Sequence, residues 1–276
     1  MKITAQQVNE LRKLTGAGMM DCKKALVESE GDKEKAIDIL RKKGQKVAAS
    51  RAGRDAAEGI VLAKVSDDKT FAAAVMINCE TDFVAKNSDF INYVKSVLEV
   101  ALENKAKSAA ELNALKLNGG RTVEETIIDQ TGVIGEKIQL GGFEVVDADS
   151  TYAYIHPGNR IATIAGFNKA GDGLADAGKD VVMQIAAMSP IALDKDSISD
   201  EVIAREIEVG KEQAREQGKP EEMLEKIAMG KLNKFFKENT LLNQAFIKDG
   251  KKSVSQYLKE TDKDLTVVDF KRLALV

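Results

Sequence analysis

The most unusual stretch of the chain is Asn78-Cys79-Glu80-Thr81-Asp82-Phe83-Val84-Ala85-Lys86-Asn87, where a thiol, two carboxylates, a hydroxyl and an aromatic ring crowd together. It lies between a predicted strand end and a capped helix, a position where functional loops gather. Cys79 followed by an acid has the outline of an activated nucleophile. The chain's one histidine, His156, is 77 positions away, however, and a strand end suits a small buried residue equally well, so a buried Cys79 is favoured. An aromatic flanked by an acid at a loop tip is usually buried, and pattern alone favours a structural Phe83 with Asp82 as a turn or cap residue. The functional alternative is a wedge, an exposed ring entering a partner's pocket beside a carboxylate able to disturb a metal or phosphate.

Two further segments invite chemistry. Thr15-Gly16-Ala17-Gly18-Met19-Met20-Asp21-Cys22-Lys23-Lys24 is glycine-rich and reaches lysine before a helix, as a phosphate loop would. The spacing is wrong, because Lys24 is followed by Ala25 and a helix, not a strand, comes before. A helix-helix turn is the better reading, and the adjacent Met19 and Met20 cannot both enter so small a core, leaving one as a soft contact surface. His156, next to Pro157 at a predicted hairpin turn, has no relay acid or nucleophile in view and reads as structural or as a contact residue.

The elements that carry these residues follow from local signals. Thr4-x-x-Gln7 is a capping box that opens a helix through Val8, Leu11 and Leu14, ending near Gly16. A second helix starts around Met20 and buries Cys22, Ala25 and Leu26; Asp32 caps a third with Ala36, Ile37 and Leu40 on its apolar side, and Gly44 is its predicted stop. This gives a three-helix module with a basic linker (1–54), the basic residues being Lys46, Arg51 and Arg54. The core then alternates apolar β-branched runs with helices. Gly59–Val65 and Thr70–Asn78 form a hairpin, followed by helices capped by Asn87 or Ser88 and by the Thr122-x-x-Glu125 box, which completes one subdomain (55–140). Strands at Phe143–Val146, Tyr152–His156 and Ile161–Phe167 and a helix at Val181–Met188 begin a second, similar subdomain (141–276). Inserted in it, Ser199 opens and Pro220 reopens two helices with narrow apolar stripes and charged flanks, which predict an antiparallel coiled-coil arm over about 198–236. The fold class is α+β, with duplicated antiparallel sheets covered by helices.

Composition removes several functions. With 41 Lys and Arg against 44 Asp and Glu, net charge is −3 and no global pull toward nucleic acid or anionic membrane exists. Aromatics are 5%, Trp is absent, and two cysteines with one histidine make neither a disulfide framework nor a zinc site. The opening segment carries no long apolar run, so a reducing cytoplasm is expected. An enzyme or GTPase would need a phosphate loop or a nucleophile-base pair, and neither is present. An RNA- or ribosome-associated role would rest on Lys46, Arg51 and Arg54 alone.

Leu11-Arg12-Lys13-Leu14-Thr15-Gly16-Ala17-Gly18-Met19-Met20-Asp21-Cys22-Lys23-Lys24-Ala25-Leu26, together with Asn78 to Asn87, resembles the two signatures of bacterial translation elongation factor Ts. The order of the remaining segments, from the Tyr154–Ile161 hairpin through the arm to Leu241-Leu242-Asn243-Gln244-Ala245-Phe246, is similar over nearly the whole chain. The resemblance implies a UBA-like N-terminal module and a guanine nucleotide exchange factor for elongation factor Tu, with no covalent chemistry or cofactor of its own. It implies that Thr81, Asp82, Phe83 and Val84 push into the partner's GTPase domain to dislodge Mg²⁺ and loosen GDP. Arg12, Met19 and Met20 would grip that domain, and His156 another part of the partner. Both the GDP-bound and nucleotide-free partner would be bound, without direct nucleic-acid or membrane contact; assembly of two copies with two partners stays open.

Overall fold

A computed structural model describes residues 3–117, 119–171 and 173–275. The first three helices are α1 (Ala5–Thr15), α2 (Met19–Glu28) and α3 (Lys33–Arg51). Both halves of the Thr4/Gln7 capping box form, and Gly16 ends α1 with φ 68, a conformation that glycine adopts without steric cost. Val8, Leu11, Cys22, Ala25, Leu26 and Ala36 make the small core of this module. Gly44 does not stop α3, contrary to expectation. The helix runs on to Arg51, and Gly44 is buried where α3 crosses a later helix. Of the stretch read as a basic, partly helical linker, the part up to Arg51 is two further turns of α3.

The first sheet joins β1 (Glu58–Val65) to β2 (Phe71–Cys79) as the expected hairpin. After it come α4 (Asp82–Ala85), α5 (Ser88–Glu103), α6 (Ala109–Ala114), α7 (Val123–Ile134) and β3 (Gln139–Asp147). β3 pairs antiparallel with β2, so the strand assigned to the second subdomain completes the first sheet, in the order β1-β2-β3. The second sheet is β4-β5-β8, from β4 (Ser150–Ile155), β5 (Ile161–Phe167) and a closing strand near the C-terminus. Its other elements are α8 (Ala175–Met188), α9 (Asp200–Glu216), α10 (Glu221–Asn239), the short pair β6 (Ala245–Phe246) and β7 (Asp249–Ser253), α11 (Val254–Thr261) and β8 (Val267–Ala274).

Alternation along β2 explains how the layers stack. Phe71, Ala73, Val75, Ile77 and Cys79 face α5 and the neighbouring helices, whereas Ala72 and Ala74 face the second sheet. A strand covered on both sides reads as a continuous apolar run, as β2 does. The two sheets meet through small side chains, Ala63, Ala72, Ala74 and Ala162 with Val61, Val146 and Ile164. The far side of the second sheet buries Ala165 and Phe167 against Val181, Val182 and Ile185 of α8. α9 and α10 pack on each other, with Gly210 opposite Ala228 where the backbones come close. Lys211–Glu225 at 2.7 Å and Arg215–Glu221 at 2.9 Å bridge them.

Candidate functional site

β2 ends at Cys79, and the next residues wind into the single turn of α4, which sequence reading took for a loop. Thr81, not Asp82, is its N-cap, accepting from the Val84 amide at 3.4 Å through its hydroxyl. Val84 and Ala85 rest against the core beneath. Phe83 points the other way and is 82% exposed, which overturns the buried reading of that ring. Burying a phenyl ring stabilises by roughly 1.5–3 kcal/mol, and the free chain forgoes nearly all of it here. Asp82 lies beside Phe83 and pairs with Lys86 at 2.6 Å; that hydrogen bond lowers its pKa and keeps the carboxylate ionised.

Because one helical turn has almost no stability of its own, its position is imposed from outside. Glu136, just past α7, supplies one support: its Oε2 accepts from the backbone amides of Glu80 at 3.1 Å and Thr81 at 3.0 Å, and its Oε1 accepts from the Thr81 hydroxyl at 2.7 Å. Gly135, in the left-handed region with φ 80, reverses the chain at the end of α7 just before Glu136. Glu80 supplies the second support, accepting from the Lys137 amide at 2.6 Å and from the Arg51 guanidinium at 3.0 Å at the end of α3. The Lys137 ammonium in turn donates to the carbonyls of Ala52 and Arg54, each at 2.9 Å. Three segments far apart in sequence thus converge behind Phe83. None of Glu80, Glu136 and Arg51 was given this role by sequence reading; Arg51, read there as a linker cation, is engaged by Glu80.

Cys79 is buried, as favoured. Burial, followed by the nearby Glu136 charge, pushes its pKa up to about 12, so at neutral pH it is a thiol and no nucleophile. His156 is exposed on the turn between β4 and β5, its Nδ1 3.0 Å from the Tyr154 hydroxyl. Arg12 is exposed in the last turn of α1, and Met19 and Met20 open α2 with 54% and 61% exposure, so both side chains are exposed where one was expected to be. Thr81 to Val84 thus share one turn, Arg12, Met19 and Met20 belong to the helical module, and His156 sits on the second sheet's hairpin. A cleft of about 720 Å³ between the module and α5 and α7 is lined by none of them. Among the described residues no group of three or more His, Cys, Asp or Glu could hold a metal ion, and no helix is long and apolar enough to cross a membrane. What the surface offers is an aromatic protrusion on a braced turn beside an ionised carboxylate, which is equipment for contact.

Residues 80–276 match the family model described as elongation factor TS. Over nearly the whole chain the sequence is similar to curated elongation factor Ts proteins. That of Christiangramia forsetii is 53% identical over 274 residues, covering 99% of each chain. That of Cytophaga hutchinsonii is also 53% identical over 274 residues, with the same coverage. That of Porphyromonas gingivalis is 50% identical over 275 residues, covering 100% of this chain and 99% of the relative. A protruding Phe83 on a braced turn, both sequence signatures and matches along the full length agree: the chain belongs to the elongation factor Ts family.

Proposed function

We propose that this chain is a guanine nucleotide exchange factor for elongation factor Tu in translation elongation and that Phe83 is the wedge through which it acts. The observation that carries the reading is the 82% exposure of Phe83 on a turn held by Glu136 and Glu80. A ring presented from a braced turn enters a partner's pocket without the cost of ordering the backbone that carries it, which leaves more of its burial energy for distorting the partner. Asp82 brings an ionised carboxylate to the same place, where it competes for the cation that bridges GDP to its site. Loss of Mg²⁺ and displacement of the phosphate-binding elements would then loosen the nucleotide. Arg12, Met19 and Met20 on the helical module and His156 on the second sheet provide separate gripping surfaces on the GDP-bound and nucleotide-free partner.

The energetics are those of coupled binding. A factor that weakens GDP binding is itself weakened by GDP to the same extent, so exchange runs in either direction and needs no external energy source. GTP completes the cycle by displacing the factor in turn. The test is release of a fluorescent GDP analogue from elongation factor Tu, chased with excess GDP, with and without catalytic amounts of this protein. Strong acceleration is expected; an unchanged release rate with both proteins folded would refute the assignment.

A further inference from the structure

The proposed wedge needs its turn held still, and α4 is too short to hold itself. The backbone amides of Glu80 and Thr81 lie beyond the β1–β2 ladder, whose last pair is Glu58 with Cys79, and before the first turn of α4. Neither sheet nor helix therefore satisfies them. Both donate instead to one carboxylate oxygen of Glu136, while its other oxygen takes the Thr81 hydroxyl. A single side chain, 55 residues downstream of Thr81, thus fixes the entry and the N-cap of the turn that carries Phe83. Hydrogen bonds to an ionised acceptor are the stronger kind, and three on one carboxylate fix both distance and orientation.

We infer that Glu136 is a positioning residue for nucleotide exchange, acting through Thr81 and the Glu80 backbone to hold Phe83 in its docking orientation. This rests on the wedge reading above. With Glu136 removed, the Val84 and Ala85 contacts and the Glu80–Arg51 pair still anchor the segment loosely, so the fold persists. The turn then samples other orientations, and the fraction of molecules able to insert Phe83 falls. Docking through the helical module and the second sheet does not use this turn. The loss therefore appears in the maximal rate of nucleotide release and not in the concentration needed for half of it.

The experiment measures fluorescent GDP release from elongation factor Tu against factor concentration for wild type, Glu136→Ala, Glu136→Asp and Glu136→Gln, each also in the Phe83→Ala background. Glu136→Ala is expected to lower the maximal rate about tenfold with half-saturation changed less than twofold. Glu136→Gln keeps an oxygen for the two amides and turns its NH₂ toward the Thr81 hydroxyl, which can accept, so it recovers most of the rate. Glu136→Asp is one methylene too short to span the same donors and behaves like Glu136→Ala. In the Phe83→Ala background the Glu136 substitutions add almost nothing, because both act through one element. Hydrogen exchange supplies the local readout: the amides of Glu80 and Thr81 lose protection in Glu136→Ala, while those of β1 and β2 keep theirs.

A wild-type maximal rate for Glu136→Ala alongside a slow Phe83→Ala overturns the inference and leaves the wedge intact. An equal fold loss in both backgrounds, or a Glu136→Gln protein no better than Glu136→Ala, overturns it as well. A wild-type rate for Phe83→Ala removes the wedge and this inference with it.

Discussion

Consider an alanine placed at either of two glycines that face each other where α3 crosses α7. A Cβ on Gly132 would lie 2.5 Å from the Gly44 Cα, whereas a Cβ on Gly44 would lie 3.5 Å from the Ile128 carbonyl oxygen and 3.6 Å from the Gly132 Cα. Carbon atoms in contact sit at roughly 3.5–4.0 Å, so Gly132→Ala requires the two backbones to part by about 1 Å, and no side-chain rotation relieves it. Overpacking of this kind costs about 1–3 kcal/mol, partly offset by the roughly 1 kcal/mol that alanine gains over glycine inside a helix. Gly44→Ala meets only ordinary contacts and keeps that gain. The two substitutions are chemically identical, yet the first should destabilise by up to about 2 kcal/mol and the second should be neutral or stabilising by up to about 1 kcal/mol, a difference between them of about 1–3 kcal/mol. Urea unfolding followed by circular dichroism, with slopes compared to check that the transition is unchanged, measures the difference. Parting the helices also moves Arg51, two turns beyond Gly44, away from Glu80, so Gly132→Ala should exchange nucleotide more slowly than Gly44→Ala. Equal stability of the two variants would refute the close crossing and the explanation of why Gly44 does not end its helix.

The remaining predictions concern the core, the pH range and the contact surface. Gln184, fully buried, donates to the Gln244 side chain and the Ala245 carbonyl and accepts from the Ile247 amide. Gln184→Leu strands these groups and should cost about 3 kcal/mol or more, read as a lower urea midpoint; a loss under 1 kcal/mol would contradict this bonding. The fold raises the pKa of Cys79 to about 12 from an ordinary 9.0, and that of Tyr257 to about 12 from 10.0, chiefly by burial. The folded chain therefore keeps protons that the unfolded chain releases at these two groups, and the stability linked to them is fully present below about pH 9 and declines as pH rises toward 12. Cys79→Ala should flatten the part of that decline that begins near pH 9, and an unchanged slope there would exclude the thiol as its source. Met19→Ala combined with Met20→Ala should leave the melting temperature within about 2 °C, since exposed substitutions rarely exceed ±0.5 kcal/mol. The same variant should weaken the complex with elongation factor Tu in titration calorimetry; unchanged affinity would remove these methionines from the contact surface.

Much of the fold was legible because its signals are local. The Thr4/Gln7 and Thr122/Glu125 boxes, the polar turn between β1 and β2 and the two striped helices of the arm each declare themselves within a few residues. What was missed depends on partners far along the chain. Gly44 looked like a helix stop because its packing reason, Gly132, is 88 residues away. β3 looked like the start of a new unit because nothing local says that it pairs with β2. β6 and β7 are too short, and their register too irregular, to leave a periodic pattern. At the site, the motif around Phe83 was visible by its odd composition, but pattern alone favoured a buried ring and offered exposure only as the alternative, since an amphipathic reading assigns an isolated aromatic to the core. Glu136 gave only a faint signal, an acid immediately after a helix-ending glycine. Its two amide donors and one hydroxyl donor become apparent only once β2 and the end of α7 are side by side.

The central claim is that nucleotide release is driven through Phe83. Its most direct test is the maximal rate of fluorescent GDP release from elongation factor Tu at saturating wild-type protein and at saturating Phe83→Ala. On the proposed reading the complex buries a ring that is 82% exposed in the free chain, which is worth of the order of 2 kcal/mol, about thirtyfold in rate, and its removal should leave the free protein as stable as before. A thirtyfold slower release by a fully folded Phe83→Ala protein is the predicted result; release at the wild-type rate would contradict it.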